Sequence, residues 1–505
     1  MTETLFSILR QRFPADLTRT FLESGDGRVF TYADLVELSG KVANALAARG
    51  VQPGDRVAVH VEKSPENLFL YLGTVRAGAV YLPLNTAYTP AEMEYFLGDA
   101  EPRVVVCRPA EREAIEPLAG KIGAEVLTLG QDGEGSMAEA IAASPAEFAE
   151  PERSREDLAA ILYTSGTTGR SKGAMLSAGN LASNAEVLAG YWRFTAEDRL
   201  LHALPIYHTH GLFTATNTII SAGASMLFLP RFDPDSVFAM LPRATAMMGV
   251  PTFYTRMLAD PRLTREACAR MRLFVSGSAP LLAETHRQFE ERTGHAILER
   301  YGMTETNMNT SNPHDGERRP GTVGFPLPGV ELRVADPETG KHLAQGEIGV
   351  LEVKGPNVFK GYWRNPEKTM AEFRVDGFFI TGDLGMVDER GYVHIVGRGK
   401  DLIISGGFNV YPKEVESEID GLPGVVESAV IGVPHPDFGE GVVAVVVPEP
   451  GAKPAEADIT GPLAGRLAKF KQPKKVFFVD ALPRNTMGKV QKNVLRESYK
   501  TTFTG

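Results

Sequence analysis

The sequence predicts an α/β protein with a large N-terminal domain of parallel-sheet layers, a β-rich subdomain and a small α+β C-terminal domain. Three observations lead to this fold class. Short apolar runs alternate with helical stretches from about residue 55 to 310, the pattern becomes β-like after about 320, and a compact mixed module follows a charged, glycine-rich segment. We therefore predict an N-terminal domain at 1–397, its β-rich subdomain at about 320–397, and a C-terminal domain at 398–505.

The N-terminal region repeats a strand–helix–strand pattern. "RVAVHV" at 56–61 precedes the amphipathic "SPENLFLYLGTVRAG", and "AVYLPLN" follows it. "LLHALPI" at 200–206 and "RLFVSGSAP" at 272–280 each lead into another helical stretch and another strand. Such units build a mostly parallel sheet covered by helices, and ligands bind beyond the carboxyl ends of its strands. The polar motifs described below lie at such strand ends, so this edge is the predicted site.

The later part of the chain has a different pattern. "VELRVAD", "EIGVLEVKG", "GFFITGD" and "YVHIVG" are short strands separated by Gly, Asp-Gly and Pro turns, which is typical of antiparallel sheet. "GRGKDLI" at 397–403 then places small and charged residues between two β-like segments. This segment is predicted to be a hinge, and a module of about 100 residues follows it.

Composition excludes several classes of protein. Hydrophobic residues at 43% and charged residues at 23% of the 505 are ordinary for a globular chain, and the net charge of −10 argues against nucleic-acid or membrane-surface binding. No apolar run approaches the roughly 18 residues that a membrane span needs. Two cysteines form neither a disulfide framework nor a metal-ligand pattern. The N-terminal stretch lacks the apolar core of a signal peptide, so a cytoplasmic location is expected.

The first chemical motif is "YTSGTTGRSKG" at 163–173, which follows the apolar run "LAAIL". Glycines allow backbone N–H groups to turn toward an anion, and hydroxyl and basic side chains add further donors, so the loop is predicted to bind phosphate. A P-loop NTPase requires Lys directly after the second glycine of its motif. Here Gly169 is followed by Arg170 and Ser171 before Lys172, so a P-loop kinase or NTPase is disfavoured.

Four further motifs suit nucleotide chemistry. "YGMTET" at 301–306 sets the carboxylate of Glu305 beside hydroxyl donors, which suits a metal-bridged triphosphate. "TGD" offers Asp383, whose ionised carboxylate can accept from both hydroxyls of a ribose. "GRGKD" and "PRNTMGKVQK" add cations further along the chain. In this order and at this spacing, the motifs resemble those of the acyl-adenylate-forming superfamily, which includes acyl-CoA synthetases, luciferases and peptide-synthetase adenylation domains.

The resemblance covers nearly the whole chain and implies ATP, Mg²⁺ and coenzyme A as cofactor and co-substrates. It implies that Glu305 holds Mg²⁺, that Lys489 is a catalytic lysine on a mobile C-terminal domain, and that Lys400 is the hinge residue, where relatives often carry Asp. The residues implied in ATP or AMP binding are Thr164, Ser165, Gly166, Thr167, Thr168, Gly169, Lys172, Ser278, Ala279, Pro280, Glu299, Tyr301, Gly302, Met303, Thr304, Asp383, Arg398 and Lys489. The residues implied in catalysis are Lys489, Glu305, Thr164, His208 and Arg170. Gly406 and Gly407 would border the channel for the pantetheine arm of CoA.

The residue before the "YGMTET" motif restricts which acids are expected as substrates. A buried guanidinium without a partner is costly, so Arg300 implies an anionic group on the substrate. Arg256, His208 and Ser278 come from the other loops that line the acyl pocket in this superfamily. Two arginines, a histidine and a hydroxyl around a small space suggest a second carboxylate. The surrounding stretches resemble the malonate-activating ligases of the superfamily, so malonate is the expected acid, with 2-methylmalonate as a side substrate.

Several alternatives remain open at this stage. Arg256 can be a cation on a helix surface, and Arg300 can form a structural ion pair with Glu299 or Glu305. The chain can instead activate another short or aryl acid, or be a non-enzymatic nucleotide-binding module. No role is assigned to His210. A free-standing carrier protein or an acetyltransferase acting on lysine is a conceivable partner, which no motif establishes.

Overall fold

A computed structural model describes residues 2–164, 171–405, 408–452, 454–485 and 488–503. The predicted α/β class is confirmed: parallel-rich sheets occupy the N-terminal part, an antiparallel sheet follows, and a smaller α+β unit completes the chain. The domain limits at 397 and 398 stay a prediction. Within the described ranges no helix is both long and apolar enough to cross a membrane.

Twenty-four strands are found in the described residues. In chain order they are β1 (Thr20–Ser24), β2 (Val29–Thr31), β3 (Arg56–His60), β4 (Val80–Pro83), β5 (Val104–Cys107), β6 (Glu125–Thr128), β7 (Leu158–Thr164), β8 (Lys172–Ser177), β9 (Arg199–His202), β10 (Ser225–Phe228), β11 (Ala246–Gly249), β12 (Leu273–Ser276), β13 (Leu298–Met303), β14 (Asn307–Ser311), β15 (Phe325–Pro326), β16 (Glu331–Ala335), β17 (Gly349–Lys354), β18 (Phe379–Val387), β19 (Val393–Arg398), β20 (Ile403–Ser405), β21 (Phe408–Val410), β22 (Val425–His435), β23 (Gly439–Pro448) and β24 (Lys475–Phe478).

The same part of the chain contains fifteen α-helices. They are α1 (Leu5–Arg10), α2 (Tyr32–Ala47), α3 (Pro65–Arg76), α4 (Pro90–Ala100), α5 (Arg112–Gly120), α6 (Ser136–Ala143), α7 (Ala178–Tyr191), α8 (Thr218–Ser221), α9 (Pro234–Met240), α10 (Pro251–Ala259), α11 (Ala283–Thr293), α12 (Pro366–Glu372), α13 (Pro412–Asp420), α14 (Glu456–Leu463) and α15 (Lys492–Tyr499). Their first residues follow local rules. Thr31 and Asp34 form a capping box on α2, and Ser64 caps α3, which begins with a proline.

Two large sheets form the N-terminal part. One has six strands in the order β6-β5-β3-β4-β7-β8, and the other has nine in the order β15-β14-β13-β12-β11-β9-β10-β1-β2. Most neighbouring pairs in both sheets are parallel, as the repeated strand–helix pattern predicts. All four residues of β5 are buried, because helices cover both faces, which explains its continuous run of apolar residues.

The remaining sheets follow the antiparallel pattern read from the later sequence. Strands β16-β17-β18-β19 form a four-stranded antiparallel sheet. A single 3₁₀ turn, Gly399–Asp401, joins β19 to β20. Strands β20 to β24 then form the sheet of the C-terminal part, with β22 and β23 as a long hairpin that carries α13 and α15.

One helical stretch differs from an ordinary helix. The segment His210–Asn217 forms a π-helix and continues into the single turn of α8. All eight of its residues are buried. The π conformation is rare and is frequently found at functional sites. It begins at His210, immediately beside the loop that carries His208.

Candidate active site

Loops from three strands of the nine-stranded sheet converge at the carboxyl edge. The strands β9, β12 and β13 run in the same direction, with Ser276 beside Glu299 in the register. The loop after β9 carries His208, the loop after β12 carries Ser278, and the turn between β13 and β14 carries Thr304 and Glu305. These are the strand ends at which the sequence motifs were expected to meet.

Part of the glycine-rich loop can be located. Thr164 ends β7 and Lys172 begins β8, and the Thr164 hydroxyl donates to the Lys172 carbonyl at 3.5 Å. The predicted residues Ser165, Gly166, Thr167, Thr168, Gly169 and Arg170 lie outside the described residues, and so do Gly406 and Gly407 of the predicted CoA channel. Their roles stay predictions.

The predicted ribose acceptor is held in place from two sides. Asp383 is buried, its Oδ2 accepts from the Tyr301 hydroxyl at 2.5 Å, and its Oδ1 lies 3.2 Å from Arg398 Nε. Asp383 and Arg398 face each other in the register of β18 and β19. Burial, together with the negative charge of Asp383, raises the pKa of Tyr301 well above its ordinary value, so the phenol stays a donor. Three predicted nucleotide residues therefore form one preorganised group.

The predicted magnesium residue is a buried carboxylate. Glu305 accepts from the Tyr362 hydroxyl at 3.0 Å, and burial raises its pKa. It forms no ion pair with any described residue. No group of three or more His, Cys, Asp or Glu in the described ranges could hold a metal by itself. A buried carboxylate that forms no ion pair with a described residue suits Mg²⁺, which takes one or two protein carboxylates and completes its shell with phosphate oxygens and water.

Arg300 is buried at 3% exposure on β13, and its Nε and Nη2 atoms have no hydrogen-bond partner in the part of the chain that the structure describes. It forms no ion pair within the described residues, so a structural pair with Glu299 or Glu305 is absent. Glu299 instead accepts from the Leu281 amide at 3.2 Å, and burial raises its pKa to about 7. Burial lowers the pKa of Arg300 to about 9, so it remains cationic at neutral pH. The site therefore holds a desolvated, unpaired positive charge.

His210, to which the sequence assigns no role, lies beside this cation. Its Nδ1 is 3.2 Å from the Ser278 hydroxyl, and its Nε2 is buried without a partner among the described residues. Burial, followed by the charge of Arg300, lowers the pKa of His210 well below its ordinary value, so the ring is neutral. Ser278 adopts a left-handed backbone with φ of 72°, a strained conformation for a residue other than glycine. Strain retained beside an unpaired charge is typical of a functional site.

The absence of a side chain at Gly277 leaves room for the Arg300 guanidinium. A methyl group built on Gly277 would lie 2.3 Å from the Arg300 Cζ atom, closer than real contacts allow. The sequence offers no sign of this requirement, because Gly277 follows β12 whereas Arg300 lies on β13, far along the chain.

The other predicted residues vary in environment. Arg256 is exposed in the last turn of α10 and makes no hydrogen bond or ion pair with any described residue, in contrast to buried Arg300. Ala279 and Pro280 follow Ser278, with Pro280 exposed. Gly302 and Met303 end β13, and Lys400 is exposed in the turn between β19 and β20. The part that each plays stays a prediction.

Lys489 brings the C-terminal part to the cleft. A methyl group on the preceding Gly488 would lie 3.9 Å from Thr252 Oγ1 at the start of α10. Water still reaches the Lys489 side chain, but the surrounding cleft desolvates it and lowers its pKa to about 8. The nearby charges of Arg398 and Asp383 act on it in opposite directions. Burial and the charge of Lys489 lower the pKa of His208 to about 3, so His208 is neutral.

A cavity of about 490 Å³ lies outside this cleft. Buried Lys63 and Tyr81 contribute to its walls, and Pro205 and Tyr207 connect it to the loop that carries His208. The predicted ATP-binding residues that the structure describes are not in its lining. The cavity is therefore separate from the predicted nucleotide-binding residues around Asp383.

Two family models match the chain. The model of the AMP-binding enzyme matches residues 10–363, and that of the AMP-binding enzyme C-terminal domain matches residues 414–489. Among curated proteins, the chain is 37% identical to a feruloyl-CoA synthase of Amycolatopsis over 94% of each chain. It is 35% identical to a malonate–CoA ligase of Arabidopsis thaliana over 89% of this chain and 79% of that protein.

Solved structures give a closer likeness. The ATP-bound crystal structure of MatB from Rhodopseudomonas palustris is 65% identical to the chain, with a TM-score of 0.98 over the full length of both. The apo structure of the same protein has the same identity and coverage and a TM-score of 0.87. These matches agree with the motifs and with the geometry of the cleft. The chain belongs to the family of AMP-binding enzymes, as its sequence motifs predicted.

Proposed function

We propose that the chain is an ATP- and Mg²⁺-dependent ligase that makes malonyl-CoA from malonate and coenzyme A, with AMP and pyrophosphate as by-products. The observation that carries the choice of acid is the buried guanidinium of Arg300, which has two nitrogens without a partner and no paired carboxylate among the described residues. An unpaired buried cation is costly, and a substrate carboxylate would remove that cost by a charge-assisted hydrogen bond. The likeness to MatB and to the malonate–CoA ligase supports this choice.

The reaction has two steps. One carboxylate of malonate attacks the α-phosphorus of ATP, the bond to the bridging oxygen breaks, and pyrophosphate leaves. The thiolate of CoA then attacks the acyl carbon of malonyl-adenylate, and AMP leaves. Phosphoryl transfer of this kind depends on positioning and on stabilising charge on the phosphoryl oxygens.

Each part of the cleft would contribute to these steps. Asp383, held by Tyr301 and Arg398, would accept from the ribose hydroxyls, and Lys489 would place positive charge at the phosphates. Glu305 would hold Mg²⁺, which supplies further charge neutralisation to the triphosphate when it is bound. Arg300, with Ser278 and His210 beside it, would bind the second carboxylate of malonate and fix the first for attack. Neutral His208 can orient groups without adding charge.

The second candidate is a ligase for another acid. The feruloyl-CoA synthase is about as similar to the chain as the malonate–CoA ligase is, so curated relatives alone do not separate the two acids. A hydrophobic acid would leave Arg300 buried and unpaired in the complex, which disfavours it. 2-Methylmalonate keeps the second carboxylate, and an extra methyl group changes discrimination by only about 1–3 kcal/mol.

The test is to measure AMP and ADP release from ATP in the presence of CoA with malonate, methylmalonate, acetate, octanoate and benzoate. We expect AMP, with malonate giving the highest kcat/KM and methylmalonate second. If octanoate or benzoate gave the highest kcat/KM, the proposed ligase reaction would stand, but the proposed role of Arg300 in binding a second carboxylate would be rejected. ADP release, or no turnover with any acid, would reject the proposed reaction.

A further inference from the structure

The hydroxyl of Tyr362 joins two carboxylates of the cleft. It lies 3.0 Å from Glu305 Oε1 and 2.6 Å from Glu372 Oε2. Glu305 is the carboxylate proposed to hold Mg²⁺, whereas Glu372 is the last residue of α12 and has no role in the proposed chemistry. A phenol carries one proton and so donates to one carboxylate at a time, which makes the two contacts interdependent.

Glu372 also contacts the end of the glycine-rich loop. Its Oε1 lies 3.5 Å from the Nζ atom of Lys172 and 2.7 Å from that of Lys368. The Lys172 ammonium lies 4.3 Å from the centre of the Tyr362 ring, a cation–π distance. Lys172 is therefore held by the carboxylate of Glu372 and by the ring of the tyrosine that contacts Glu305.

The backbone makes this arrangement rigid. The Phe359 amide donates to the Glu305 carbonyl at 2.8 Å, and the Trp363 amide donates to the Gly173 carbonyl at 2.7 Å. The Tyr362 amide donates to Thr369 Oγ1 at 2.9 Å, in the middle of α12, the helix that ends in Glu372. One short segment thus binds both to the turn that carries Glu305 and to the strand that Lys172 begins.

We propose that Tyr362 and Glu372 are positioning residues that couple the phosphate-binding loop to the magnesium carboxylate. We call the pair the Tyr362–Glu372 bridge. Glu372 fixes Lys172 at the base of the loop, and Tyr362 fixes the orientation of Glu305, so that the triphosphate and its Mg²⁺ meet both groups already aligned. The inference rests on the proposed function for the roles of ATP and Mg²⁺ at this site.

Two substitutions separate the parts of the bridge. Tyr362→Phe removes the hydroxyl and keeps the ring beneath Lys172, and Glu372→Gln removes the charge and keeps the size. Lys368→Ala is the matched control, because Lys368 pairs with the same carboxylate yet lies on its outer side, 42% exposed. The binding of ATP is measured by calorimetry with and without Mg²⁺, and the adenylation and thioester half-reactions are measured separately.

For Tyr362→Phe we expect ATP binding without Mg²⁺ to be unchanged and the tightening caused by Mg²⁺ to fall about tenfold or more, as is usual when a partner of a metal ligand is removed. For Glu372→Gln we expect weaker ATP binding both with and without Mg²⁺, because Lys172 loses its anchor. Thioester formation from supplied malonyl-adenylate should match the parent enzyme in both variants, and Lys368→Ala should stay within about twofold of the parent in all assays.

Two results would overturn the inference. If Tyr362→Phe lowers the melting temperature but keeps the Mg²⁺ dependence of ATP binding, the hydroxyl only supports packing. If Glu372→Gln binds ATP more tightly, Glu372 competes with the nucleotide for Lys172 instead of aligning it. Should Tyr362→Phe fail to fold, the Glu372→Gln result still decides. Failure of the proposed function is distinct, because it shows as an absence of AMP in the parent enzyme, while calorimetry still reports on the bridge.

Discussion

The two ends of the cleft differ in how their polar groups are satisfied. At the ribose end, both oxygens of Asp383 have partners in the protein, namely Tyr301 and Arg398. At the end proposed to bind the acyl group, Arg300 and His210 are buried, and each has at least one nitrogen atom with no partner in the described ranges. The first arrangement preorganises an acceptor before the ligand arrives. The second leaves two nitrogens of the Arg300 guanidinium without an acceptor among the described residues. Under the proposed function, the choice of acid therefore depends on the end that holds Arg300, and nucleotide binding depends on the end that holds Asp383.

Substitution of Arg300 should have the largest effect on malonate turnover. It also distinguishes most clearly the selectivity for the acid from the binding of ATP. We expect Arg300→Leu to lower kcat/KM for malonate, with a loss of about 2–5 kcal/mol in transition-state binding, because the second carboxylate loses its counter-ion. The variant should unfold at the same temperature or higher, since a buried unpaired charge is removed. The matched variant at the other end, Asp383→Asn, should raise the KM for ATP with every acid alike. Unchanged malonate turnover in Arg300→Leu would contradict the comparison.

Lys489 reaches the cleft from the C-terminal part and should act on one half-reaction. Lys489→Ala is expected to slow adenylate formation about 100- to 1,000-fold, the usual cost of removing one preorganised group that stabilises the transition state. Thioester formation from supplied malonyl-adenylate should be spared. The measurement is pyrophosphate release against thioester formation in single turnovers. Equal loss in both half-reactions would show that the lysine has a general structural role.

The space beside Arg300 offers a finer test of the acyl end. We expect Gly277→Ala to displace the guanidinium and to lower kcat/KM for malonate by about 100-fold, because small misplacements of a positioning group are costly. The KM for ATP should stay close to that of the parent. Gly98→Ala is the control, since a methyl group there meets nothing within 4 Å. Similar losses for both variants would indicate a general effect of removing glycine.

The smallest expected effect is on pH dependence. The desolvated Lys489 has a pKa of about 8, below its ordinary value, and it must be protonated to place charge at the phosphates. The kcat/KM of adenylation for ATP, which reports on groups of the free enzyme, should therefore fall as the pH rises through about 8. Lys489→Arg should move this fall to higher pH, because a guanidinium keeps its charge. A profile that is identical in the two enzymes would assign the titration to another group.

Much of the fold could be predicted from the sequence because its signals are local. The run "RVAVHV" became β3, "SPENLFLYLGTVRAG" contains α3, and the glycine- and proline-punctuated runs after 320 became the antiparallel sheet. The stretch after Tyr207 was harder to interpret. The sequence predicted a helical stretch there, and the structure contains a π-helix over His210–Asn217, all of it buried.

The sequence by itself determined the family and predicted the candidate site residues, because each motif is contiguous and its residues are neighbours in the chain. Only the tertiary structure decided which of these groups have partners. Arg300 forms no ion pair with the residues that the structure describes, and Gly277 makes room for it. Glu372 is linked to Glu305 through the Tyr362 hydroxyl, although the two carboxylates are distant in the chain. The physical reason is that desolvation and hydrogen bonding depend on every atom within a few ångströms, whichever segment supplies it.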